Sequence, residues 1–99
     1  MKEKILSKEK NEIKAKKPNM YKVLLHNDDY TTMDFVVEIL VKIFRKSPIE
    51  AAKIMYDVHK RGIGIAGIYS YDIALTKIRQ VVVIAEERGF PLKLTMEKE

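Results

Sequence analysis

Along residues 20–26 the apolar side chains Tyr21, Val23 and Leu25 alternate with Lys22, Leu24 and His26, a period of two that predicts a strand with one strongly apolar face. Asn27-Asp28-Asp29 ends it with three turn-prone residues. The period then changes. Thr31 stands where a helix N-cap belongs, with Asp34 three residues on, and Met33, Val36, Val37, Leu40 and Phe44 recur at helical spacing on one face. Ser47-Pro48-Ile49-Glu50 announces a second helix through its cap, its proline at the first helical position and its glutamate at the third; Gly62 stops it after Arg61. Residues 65–69 read as a short strand, and Ser70 caps a third helix that runs to Arg88, ahead of Gly89. Within that helix Val81-Val82-Val83-Ile84 has strand propensity, but Ala74, Ile78, Val81 and Ala85 keep the helical period on both sides of it. After Pro91, residues 92–96 alternate again. The order β-α-α-β-α-β predicts an α+β sandwich, with three helices on one side of a small, mostly antiparallel three-stranded sheet.

The 99 residues hold one domain, and 46% hydrophobic content is ordinary for a globular one. Charge refines the picture. The formal net charge of +5 suggests a nucleic-acid binder until it is located on the chain. Residues 1–17 carry seven Lys and three Glu with few apolar positions, and read as a flexible basic tail. Residues 18–99, the expected folded domain, hold twelve basic and eleven acidic residues and are close to neutral. A nucleic-acid partner is therefore not expected. The longest uncharged apolar stretches, residues 63–69 and 81–85, fall far short of the roughly 18 residues a membrane span needs. No membrane partner is expected, and with no Cys and no signal-type apolar region near the start the chain reads as cytoplasmic.

Candidate chemistry is sparse. Gly62-Ile63-Gly64-Ile65-Ala66-Gly67 spells the dinucleotide fingerprint, yet a helix precedes it and a strand lies inside it, the reverse of what phosphate binding requires. A helix stop and a tight strand entry explain these glycines instead. His26, Asp28, Asp29 and His59 match no compact metal-ligand spacing, so neither a metal nor a cofactor is expected. There is no Cys and no Ser in a strained elbow, so no enzyme is expected either. Residues 27–33 are harder to dismiss as a mere turn and cap. Met55, Val58 and His59 lie at i, i+3 and i+4 on the second helix and share a face. If that face packs beside Met33, an apolar pocket acquires a polar rim of Asn27, Asp29 and His59, suited to a bulky apolar group next to a cation.

Pro18-Asn19-Met20-Tyr21-Lys22-Val23, then Asn27-Asp28-Asp29-Tyr30-Thr31, Val58-His59, Gly67, Thr76-Lys77 and Pro91-Leu92 closely resemble the ClpS family, adaptors of the bacterial Clp protease, over residues 18–99. The resemblance implies recognition of N-degron substrates, proteins whose exposed first residue is Phe, Tyr, Trp or Leu. It also implies their delivery to a hexameric AAA+ unfoldase, ClpA or a ClpC-type homologue. Carried over by position, Asn27, Asp29 and His59 would hold the substrate's α-amino group, with Asp28 shaping the same turn. Leu25, Thr31, Met33, Val36, Met55, Val58 and Leu92 would line the side-chain pocket. Asp72 and Lys77, near the start of the third helix, map to the unfoldase contact. The chain departs from its relatives at Thr32, often Pro, and at His26, often apolar, which either adds a titrating group next to the pocket or, the favoured reading, faces solvent on an edge of the first strand. An alternative is a module of the same fold that docks on an unfoldase without reading N-termini; it would not need Asn27, Asp29 and His59 together.

Overall fold

The alternating segment becomes the middle of the sheet. In the computed structural model, which describes residues 19–99, strand β1 (Met20–His26) pairs with β2 (Ile63–Ser70) on one side and β3 (Lys93–Lys98) on the other. Both pairings are antiparallel. The expected tail of residues 1–17 lies outside the described residues. Val23 and Leu25 on the inner face of β1 are completely buried, whereas Lys22 and His26 on the other face keep partial access to solvent. Leu24 shares that outer face and is nonetheless buried, between its cross-strand neighbours Ile65 and Thr95. The central position of β1 overturns the edge placement of His26. Its Nε2 shares a 2.7 Å hydrogen bond with the Thr95 hydroxyl of β3.

Three helices complete the order: α1 (Met33–Lys42), α2 (Pro48–Arg61) and α3 (Tyr71–Glu87). Helix α1 starts one residue later than the pattern predicts. Its N-cap is Thr32, whose hydroxyl accepts from the Phe35 N–H at 3.1 Å, because the Thr31 hydroxyl is engaged with Asp28. The buried stripe of α1 is Phe35, Val36, Ile39 and Leu40, so its face is rotated from the expected one and Met33 is left 47% exposed. Helix α2 follows its signals: the Ser47 hydroxyl accepts from the Glu50 N–H, Pro48 opens the helix, and Gly62 closes it at φ 84°. That left-handed conformation is one an L side chain adopts only at a cost. In α3 the Val81-Val82-Val83-Ile84 run is helical, with Val81 fully buried.

Two devices hold the helices in place around the core of Val23, Leu25, Ile39, Leu40 and Val81. Arg88, just past α3, donates two hydrogen bonds to the Glu38 carboxylate of α1, at 3.1 and 2.8 Å. Gly64 admits α2 to β2 at close range: a Cβ there would stand 2.7 Å from Val58 Cγ2 and 3.0 Å from the Ile54 carbonyl oxygen. Any side chain at residue 64 would push away the segment of α2 that carries Met55, Val58 and His59.

Candidate functional site

The site is built where β1 runs out. The Asn27 N–H donates to the Gly62 carbonyl at 2.9 Å, tying the turn after β1 to the end of α2. Asp28 then folds the turn on itself. One carboxylate oxygen accepts from the Tyr30 N–H at 2.8 Å and the Thr31 N–H at 2.6 Å, and the other from the Thr31 hydroxyl at 2.6 Å. Partial burial by itself pushes the Asp28 carboxyl upward, but the bonds from the Thr31 hydroxyl, the Thr31 N–H and the Tyr30 N–H together outweigh it and hold its pKa below the ordinary value. With Asp28 so occupied, Asp29 stands exposed beside it.

The turn delivers the chain into α1, whose first residue is Met33; Val36 follows one turn later on the same face. Opposite them α2 presents Met55, Val58 and His59. The result is a cleft of about 270 Å³ lined by Asn27, Asp28, Asp29, Thr31, Met33, Val36, Met55, Val58 and His59. That is slightly smaller than the ~300–1,000 Å³ typical of drug-sized sites. Its apolar lining is two methionines and two valines, with Met33 the most exposed of the four, and its polar rim is an amide, two carboxylates, a threonine hydroxyl and an imidazole. Among the described residues neither Lys nor Arg lines it. Such a rim is rich in acceptors and carries negative charge, so it is suited to a small cation rather than an anion. Among the described residues no group of three or more His, Asp or Glu is placed to hold a metal ion.

Every residue that lines the cleft is among those expected there from the sequence and the resemblance, and two of the residues expected in the pocket do not line it. Leu25 is completely buried in the core and Leu92 nearly so, at 6% exposure. Leu25 occupies the inner face of β1, and Leu92 precedes β3 rather than starting it. Asp72 and Lys77 lie away from the cleft, on a shallow groove of α3 with Ile73, Thr76 and Gln80. Asp72 is exposed there. The Lys77 ammonium turns inward, donating to the Ile43 carbonyl at 2.7 Å and lying 5.2 Å from the Tyr69 ring centre.

Comparison with known proteins agrees with this architecture. Residues 16–95 match the family model for the ATP-dependent Clp protease adaptor protein ClpS. The ATP-dependent Clp protease adapter protein ClpS of Clostridium acetobutylicum is 63% identical over 87 residues, covering 88% of this chain and 86% of that one. The protein of the same name from Acetivibrio thermocellus is 54% identical over 99 residues, the whole of both chains. Among solved structures, Agrobacterium tumefaciens ClpS2 bound to L-phenylalaninamide superposes with a TM-score of 0.80 at 38% identity, covering 84% of this chain and all of that one. Similar in sequence over nearly its whole length and in fold over its described domain, the chain belongs to the ClpS family of Clp protease adaptors, proteins that are not themselves catalytic enzymes.

Proposed function

We propose that the cleft binds the first residue of N-degron proteins, Phe, Tyr, Trp or Leu with a free α-amino group, so that the adaptor delivers them to the AAA+ unfoldase of the Clp protease in the cytoplasm. The observation that carries this is the pairing, in one small cleft, of an apolar lining with a negatively charged acceptor rim that, among the described residues, contains neither Lys nor Arg. An α-ammonium has three donors and no acceptor. The exposed Asp29 carboxylate, the Asn27 amide oxygen and a His59 ring nitrogen supply the acceptors it needs, while Asp28, with both oxygens already accepting, fixes the turn beside them. The structurally similar Agrobacterium protein is bound to L-phenylalaninamide, a compound with a free amine, a benzyl side chain and an amide where a peptide would continue.

The energetics require both halves. Each charge-assisted hydrogen bond contributes roughly 1.5–3 kcal/mol, and burying a Phe-sized side chain adds about 1.5–3 kcal/mol. Association costs at least ~4 kcal/mol. The side chain alone does not cover that cost, and three bonds to the amine, together roughly 4.5–9 kcal/mol, leave little surplus at the lower end, so usable affinity comes from the two together. Met33, at the mouth, crowds the substrate's β-carbon and so disfavours Ile and Val. The unfoldase, ClpA or a ClpC-type homologue, would contact the α3 groove bordered by Asp72 and Lys77, where Asp72 offers the accessible charge.

The test is calorimetric titration of a peptide that begins with Phe against the wild type and the Asp29→Asn and His59→Ala variants. A loss of tenfold or more in each, with the fold intact by circular dichroism, is expected. Wild-type affinity in both variants would refute the assignment of the rim.

A further inference from the structure

Half of the apolar lining is oxidisable. Of the four apolar residues that line the cleft, Val36 and Val58 are inert to two-electron oxidants, whereas Met33 and Met55 are thioethers. Met33 opens α1 at the mouth and is 47% exposed; Met55 lies half-buried behind it, packed against the core. The chain has no cysteine to consume an oxidant first. Met20 serves as an internal comparison: it is 37% exposed, but it sits at the far end of the seven-residue β1, roughly 20 Å from Asn27 along the strand.

We propose that Met33, with Met55 behind it, is a reversible oxidation switch, and that its sulfoxide closes the cleft to apolar first residues. The inference rests on the substrate class proposed above. A sulfur lone pair attacks one oxygen of a peroxide and the O–O bond breaks. The departing hydroxide takes the proton left on the transferred oxygen, giving a sulfoxide and water. Sulfur is oxidised by two electrons and the peroxide reduced by two. The reverse step belongs to the thiol-dependent methionine sulfoxide reductases, which return the oxygen as water.

The consequence follows from the surroundings. A sulfoxide converts a flexible apolar side chain into a polar one with a strong acceptor oxygen. In this cleft that oxygen meets two fates. It stays unpaired against the substrate's apolar side chain, or it draws the Asn27 amide and the His59 ring N–H away from the rim. Either fate weakens binding by about tenfold or more.

The experiment uses the full chain and hydrogen peroxide. Peptide mapping by mass spectrometry gives the sulfoxide occupancy at each methionine, and a Phe-starting peptide is titrated before oxidation, after it, and after repair by the A and B sulfoxide reductases with dithiothreitol. The expected result is an affinity loss that tracks occupancy at Met33 and Met55 but not at Met20, with circular dichroism unchanged and affinity restored by repair. In Met33→Leu the ratio of oxidised to untreated affinity should move toward one, whatever affinity that variant starts from. Unchanged affinity at full Met33 oxidation overturns the switch, as does a loss that follows Met20 or accompanies unfolding. Failure of the untreated protein to bind would overturn the substrate class itself, and the switch with it.

Discussion

Asp28→Asn separates a residue that builds the site from one that touches the ligand. The Asp28 carboxylate accepts three hydrogen bonds, from the Tyr30 N–H, the Thr31 N–H and the Thr31 hydroxyl, at 2.8, 2.6 and 2.6 Å. Asparagine keeps an acceptor for the two backbone donors, and the threonine hydroxyl can turn to accept from the new amide. What is lost is charge. Charge-assisted bonds contribute roughly 1.5–3 kcal/mol against about 0.5–1.5 kcal/mol for neutral ones. Three such differences near solvent, discounted for screening, amount to about 1–2 kcal/mol. For a domain of this size that lowers the melting temperature by on the order of 10 °C.

The pH dependence gives a second handle with a fixed sign. Asp28 has a folded-state pKa below its ordinary value. Its stabilising contribution is therefore complete above the unfolded-state pKa of ~3.9 and is lost as the pH falls through the folded-state value. The deficit of Asp28→Asn should be full at pH 7 and should shrink toward zero in strong acid. Urea denaturation of both proteins at neutral and acid pH measures it. No deficit at pH 7, or an equal one at both pH values, would refute the role given to the turn. Peptide affinity should fall less in this variant than in Asp29→Asn, because both Asp28 oxygens are already committed to the turn.

Other outcomes follow from the same geometry. Met33→Ala should widen the accepted first residues to include Ile and Val, read by titrating a series of peptides; unchanged discrimination would count against crowding at the mouth. Gly64→Ala should destabilise the fold by about 1–3 kcal/mol by forcing Val58 and the Ile54 backbone off β2, and peptide affinity should drop with it although residue 64 does not line the cleft. Deletion of residues 1–17, which hold a net four of the five positive charges, should leave peptide binding intact while impairing degradation by the Clp protease; equal degradation rates would remove the tail from delivery.

Hydrophobic periodicity carried most of the fold because it reports directly on which face is buried. The strand at 20–26, the capped helix after Ser47 and the order of elements are all visible in it. The misses arise where a choice depends on contacts remote in sequence. Whether Thr31 or Thr32 caps α1 is decided by Asp28 taking the Thr31 hydroxyl, a side-chain competition that a capping pattern does not encode. His26 was expected on an edge because strand order is not written in alternation; the return of β3 to the outer side of β1 makes it central. Strand β2 starts at Ile63 and not at residue 65, since Gly62 and Gly64 mask its beginning as a loop. In the cleft the i, i+3, i+4 spacing of Met55, Val58 and His59 pointed to a shared face, and they do share one. Leu25 and Leu92, carried over by resemblance, are core residues: alternation puts Leu25 on the inner side of β1, a signal that favours the core.

The central claim is that one cleft reads a free amine and an apolar side chain together. Its most direct measurement is a pair of calorimetric titrations on the full chain, with a peptide beginning in Phe and the same peptide acetylated at its N-terminus. Acetylation removes the cation and two of its three donors while leaving the phenyl group untouched. Measurable binding of the free peptide, with the acetylated one weaker by at least about a hundredfold, is the predicted result; equal binding of both peptides, or of neither, would contradict it.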